Sequence, residues 1–140
     1  MNAGFEDILV LSQKMKEHGD DWERIFEEYQ KSRKPNTDAI AELSYRNFVE
    51  MSSKTADPDF LLRKKIENWF SSKHPNTWVP LYSRVTFSDK PYAEALAIGD
   101  YQRKIMDHVM EIPGIEKKWD SIEVENTILK LLNDKAAFSV

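Results

Sequence analysis

The 140-residue chain contains no cysteine, only four glycines, no surplus of positive charge and no long apolar run. Without cysteine there is no disulfide framework, no thiolate metal site and no cysteine nucleophile. With 20 basic against 24 acidic residues and a net charge of −4, the chain has no general attraction for nucleic acid. No apolar stretch approaches the roughly 18 residues that span a bilayer, and the N-terminal stretch lacks the basic start and apolar run of a signal peptide. These absences predict a soluble chain with no membrane anchor and cytoplasmic placement by default.

What is present is bulk and charge. Hydrophobic residues make up 41% of the chain and include four Trp, five Tyr and seven Phe, enough to fill one core. Scarce glycine, few β-branched runs and three-and-four apolar spacing predict an all-α domain, an irregular helical bundle of about five to seven helices. The first helix is expected over 3–17, closed by Gly19. A second starts at Asp21, carries Trp22, Ile25, Phe26 and Tyr29 on one face, and is expected to break at SRKPN. A third would then start at Asn36 or Thr37 and run to about Lys54. TADPD closes it and caps the next, whose apolar face is Phe60, Leu61, Ile66, Trp69 and Phe70. Pro75 and Pro80 frame an alternating stretch near 76–88 that is expected to be extended, and irregular segments within helical domains often carry function. Further helices are expected from Pro91 to about Met110 and, after IPG, from about Ser121.

Few motifs carry chemistry. Among His18, His74 and His108 there is no second His at the spacing of a one-helix metal site, and Glu-x-x-His is absent, so no metal is expected. No GxSxG elbow supports a Ser-His-Asp arrangement. Arg63, Lys64 and Lys65 read as a solvated helix face rather than a phosphate contact. In YRNFVEM, Asn47, Glu50 and Met51 share a face with Leu43, so an inward Leu43 and Met51 would carry Asn47 and Glu50 partly inward. By residue type alone, Asn and Glu on a helix belong to solvent. Tyr82, in the stretch expected to be extended, is equally open to a packing role with its hydroxyl at the surface.

Longer blocks are more specific. MNAGFED resembles the end of the flavin-binding loop of the FAD-dependent aromatic-ring hydroxylases. RKPNTDAIAELSYRNFVEM, FLLRKKIENW and VPLYSRVTFSDKPYAEAL are similar, in register, to the kynurenine-hydroxylating branch of that family, over Met1 to about Arg103 with a fading match beyond. The resemblance implies that Met1 is internal to a longer flavoprotein and that residues 1–7 are a remnant of the flavin loop. Residues 1–140 would form one C-terminal helical domain that lines and closes the substrate pocket. It further implies FAD as cofactor and NADPH as reductant, and the conversion of L-kynurenine to 3-hydroxykynurenine in tryptophan degradation. Met1 and Asn2 would lie against the flavin, and Asn47, Glu50, Met51 and Tyr82 against the substrate, with no catalytic acid or base among them. The partners implied are the N-terminal FAD-binding and substrate domains of the same polypeptide and a small aromatic amino acid.

The family's GxGxxG, Gly-Asp and Gly-Gln-Gly motifs are absent from this chain, so alone it is expected to be inactive and able to associate with itself through exposed apolar surface. Where some relatives carry an apolar anchor, this chain ends in TILKLLNDKAAFSV, which reads as a short amphipathic helix. Two alternatives remain open: a related hydroxylase of another aromatic substrate, and a stand-alone helical protein-interaction domain.

Overall fold

The computed structural model describes residues 2–88 and 90–134, with Asn2 and Lys54 described by their backbone alone. Among the described residues there are seven α-helices and no strand: α1 (Asn2–His18), α2 (Trp22–Val49), α3 (Pro58–Lys73), α4 (Leu81–Phe87), α5 (Tyr92–Met110), α6 (Ile115–Lys118) and α7 (Ile122–Asn133). A π-helical turn, Glu50–Lys54, continues α2.

Most boundaries follow local chemistry. Gly19 takes the left-handed conformation (φ 60°) after α1, and its N–H donates to the Met15 carbonyl at 2.9 Å. Asp21 caps α2 by accepting from the Arg24 N–H, Asp57 caps α3 ahead of Pro58, and Ser121 caps α7 by accepting from the Val124 N–H.

Two expectations fail. Helix α2 does not break at SRKPN but runs through Pro35 for 28 residues, about 42 Å at 1.5 Å per residue. A proline inside a helix deprives the carbonyl four residues back, here Lys31, of its N–H, and polar side chains bond the three carbonyls that follow it. Asn36 Nδ2 donates to the Ser32 carbonyl at 3.1 Å, and Thr37 Oγ1 reaches the Arg33 and Lys34 carbonyls at 3.2 and 3.0 Å. The residues expected to cap a new helix therefore stabilise an old one. Asn36 Oδ1 also accepts from the Ala93 N–H at 3.2 Å, tying this point of α2 to the start of α5.

The second failure is the stretch near 76–88, which is irregular only up to Pro80 and then forms α4. Pro80 occupies the N-cap (φ −56°, ψ 143°), and Leu81 inserts against Gly99 of α5, where an added Cβ would lie 2.8 Å from Leu81 Cδ2. The alternation seen in LYSRVTF also puts Leu81 and Val85 four apart, and that docking favours the helical choice.

The apolar core sits between α3, α5, α6 and α7. Ile66, Phe70, Trp78, Ile105, Met106, Val109, Ile115, Val124 and Ile128 pack there. Phe70 meets Trp78 edge-on at 5.6 Å, and Gln102 Nε2 satisfies the Val79 carbonyl at 3.2 Å. Glu125, on the rim, accepts from His74 at 2.8 Å and from Lys73, joining α7 to the end of α3.

Candidate functional site

The residues singled out in the sequence lie at one end of α2 and on α4, and both elements dock on adjacent residues of α5. Arg46 of α2 bonds Asp100 and Glu42, while Leu81 of α4 packs on Gly99. Asp100 and Glu42 hold the Arg46 guanidinium above its ordinary pKa, their hydrogen bonds outweighing the cost of its burial. This rivets α2 to α5 one residue before Asn47 and sets α4 beside it.

Beyond the rivet the helix widens. The Glu50 N–H is shared between the Arg46 and Asn47 carbonyls, and the hydroxyls of Ser52 and Ser53 both turn back to the Val49 carbonyl. Such π-turns are rare and recur at functional sites. The Ser52–Ser53 pair is its local sign in the sequence.

The turn also changes which way the side chains face. Leu43 is buried but Met51 is 68% exposed, so the two do not share an inward face. Asn47 is exposed, Glu50 half-buried, and Asn47 Nδ2 approaches Met51 Sδ at 3.7 Å. The condition for an inward Asn47, an inward Met51, is not met, and Asn47 faces solvent as its residue type suggests. Tyr82 is 73% exposed on α4. A groove of about 420 Å³ between α2 and α5, bordered by Pro35, Ala39, Ala93 and Leu96, includes none of these four residues. Asn47 and Met51 touch each other, whereas Tyr82 stands on a separate helix. Of the residues expected near flavin, Met1 lies outside the described residues, and Asn2 opens α1.

Helix α1 is inside out. Phe5, Ile8 and Leu9 are 61–69% exposed, while Glu6, Asp7, Val10 and Lys14 face α2. At the inner contact Arg33 of α2, itself buried, donates to Asp7 at 2.6 Å, to Glu6 at 3.2 Å and to the Ala3 carbonyl at 3.4 Å. Burial works against its charge, but Asp7 and then Glu6 outweigh that and hold its pKa above the ordinary value. Tyr92 of α5 donates to Glu6 at 3.0 Å, and burial followed by that carboxylate raises its hydroxyl pKa. Partners 26 to 86 residues apart leave no local signal, so this network was invisible in the sequence.

Lower on the same contact, Glu17, His18 and Glu28 bring three ligand-type atoms within 4.8 Å of one another, a grouping that spacing within one helix could not show. Lys14 Nζ already lies on both carboxylates, at 2.7 and 3.0 Å. Hydrogen bonds from Lys14, then His18 and Arg24, push Glu28 down to about 2. The cluster is a closed salt-bridge knot.

No family model matches the chain. A curated protein from Christiangramia forsetii named kynurenine 3-monooxygenase is 72% identical over 132 residues, covering 94% of this chain and 30% of its own length. The chain is homologous to part of kynurenine 3-monooxygenase. The enzyme of that name from Flavobacterium johnsoniae is 68% identical over the same share of both chains, and one from Legionella pneumophila is 36% identical over 139 residues. This chain thus spans about 30% of the length of the kynurenine 3-monooxygenases it matches. Matches of 132 and 139 residues run on past Arg103 into the second half of α5 and beyond. Among the described residues no helix is long and apolar enough to cross a membrane.

Proposed function

We propose that the chain is the C-terminal helical domain of a flavoprotein that hydroxylates L-kynurenine to 3-hydroxykynurenine, using FAD and NADPH, and that it walls and closes the substrate pocket. The observation that carries this reading is the 72% identity over 94% of the chain to a kynurenine 3-monooxygenase more than three times its length. Three features of the surface support it. The apolar side of α1 turns away from its own helices, Tyr45, Phe48, Met51, Tyr82 and Phe87 are 65–81% exposed, and on α4 the Arg84 Nε is buried with no hydrogen-bond partner among the described residues. Surfaces of this kind belong against another body. That body would be the FAD-binding and substrate domains of the same polypeptide.

The first turn of α1 fits a flavin edge. It has no acidic residue, and nothing lies within 4 Å of where a side chain at Gly4 would begin, so its free N–H groups can meet an electron-rich ring edge. Met1 and Asn2 would make that contact. When bound and reduced, FAD activates dioxygen and supplies the oxygen atom. The chain's own residues would position substrate and exclude water: the Asn47 amide at the amino-acid end, with Glu50, Met51 and Tyr82 along the wall.

The test is to express the polypeptide with its flavin-binding part and assay NADPH consumption and product with L-kynurenine by mass spectrometry. Asn47→Ala is expected to raise KM about tenfold or more, the loss of one or two polar contacts to a charged substrate. NADPH consumption without hydroxylated kynurenine would point to another aromatic substrate. The same exposed faces also suit a stand-alone interaction domain, and the lack of any flavin-binding part to express would favour it.

A further inference from the structure

Helix α1 meets α2 and α5 through a buried arginine and its carboxylates. Its first two turns touch α2 and α5 through Glu6 and Asp7, and both carboxylates converge on Arg33. Arg33 has planar, forked donors, and it uses three of its nitrogens on two side chains and one main-chain carbonyl of α1. A fork engaged on two carboxylates and a carbonyl sets both the distance and the rotation of the helix that carries them. Arg33 lies 14 residues before Asn47 on the same unbroken helix, about 21 Å along a rod. The network therefore joins the turn that would meet flavin to the helix that would present the substrate wall.

We infer that Arg33 is a positioning residue: through Asp7, Glu6 and the Ala3 carbonyl it holds the first turn of α1 in register with the far end of α2, so that flavin edge and substrate wall meet at a set spacing. The inference rests on the reading above that the start of α1 contacts FAD. Glu6 and Asp7 side chains are 44% and 30% exposed, so water can solvate them when Arg33 is lost, and α1 is expected to loosen rather than the domain to unfold.

The experiment compares Arg33→Gln, Arg33→Lys and Tyr92→Phe with the parent in the polypeptide carrying the flavin-binding part. The readouts are the FAD dissociation constant by flavin fluorescence, hydrogen exchange over residues 3–9, and the ratio of peroxide to hydroxylated product. Arg33→Gln is expected to speed exchange in α1 while leaving α5 and α7 protected, to weaken FAD binding about tenfold, and to raise the peroxide share. Arg33→Lys should recover part of the loss, because it keeps the charge without the fork, and Tyr92→Phe should move the same readouts less. An Arg33→Gln protein that binds FAD and couples like the parent overturns the inference, whatever its melting temperature. If Arg33→Gln does not fold, Tyr92→Phe and Asp7→Asn decide by the same three readouts. A parent that binds no FAD overturns the functional reading itself, an outcome distinct from an FAD-binding parent with an indifferent Arg33→Gln.

Discussion

Between α3 and α7, nine apolar side chains meet with 0–4% exposure, whereas the α1–α2 pair is joined through Arg33, Lys14 and their carboxylates and turns Phe5, Ile8 and Leu9 to the outside. The first region has a core of its own. The second has used its charged residues internally and kept much of its apolar surface for something else. Buried ion pairs add little net stability because desolvation offsets attraction, but they specify geometry. An apolar core does the reverse, supplying most of the folding energy with looser orientation. The contrast makes the α3–α7 half the stabilising body, and leaves the α1–α2 half as the one that bears the exposed apolar face of α1.

The largest effect should come from breaking the body. Phe70 is fully buried between Trp78 and His74, and Phe70→Ala is expected to cost about 3–5 kcal/mol in a urea or thermal melt. Acid should then separate the two halves. Glu28, lowered from 4.5 to about 2, contributes stability that is complete above 4.5 and lost as pH falls towards 2. The α1–α2 contact should therefore loosen in that window, seen as NMR shift changes confined to α1 and the first turns of α2. Glu125, lowered by Lys73 and then His74, acts in the same direction at α7, but there an apolar core backs it.

Gly99→Ala sharpens the comparison at the join. Alanine gains about 1 kcal/mol of helix propensity but pushes Leu81 aside, so melts should change little while α4 exchanges faster. Smallest of all in stability is the outer face of α1. Phe5→Lys with Leu9→Lys is expected to shift the melt by no more than about 0.5 kcal/mol per site, yet to abolish concentration-dependent elution of the isolated chain on gel filtration.

Local chemistry marked the helix ends well. Gly19, Asp21, Asp57, Pro91 and Ser121 sit where a cap or a break belongs, because each acts on the backbone within a few residues of itself. Spacing likewise put Ile66 and Phe70 on one face, and both are in the core. The errors fall where a distant partner chose between two local options. Pro35 breaks a helix in isolation, but Asn36 and Thr37 bond the carbonyls of the preceding turn and Ala93 anchors the helix at Asn36. LYSRVTF alternates like a strand, but Gly99 offers Leu81 a seat only a helix uses.

By itself the sequence determined the all-α class, most of the caps, the inward face of Ile66 and Phe70 on α3 and, through residue identity, the homology to part of kynurenine 3-monooxygenase. Tertiary structure alone decided the continuity of α2, the helical state of residues 81–87, the outward turn of Asn47 and Met51, and the inversion of α1. The physical reason is range. Caps and periodicity act over three or four residues, whereas Arg33 chooses carboxylates 26 and 27 positions away, and only the folded chain brings them within reach.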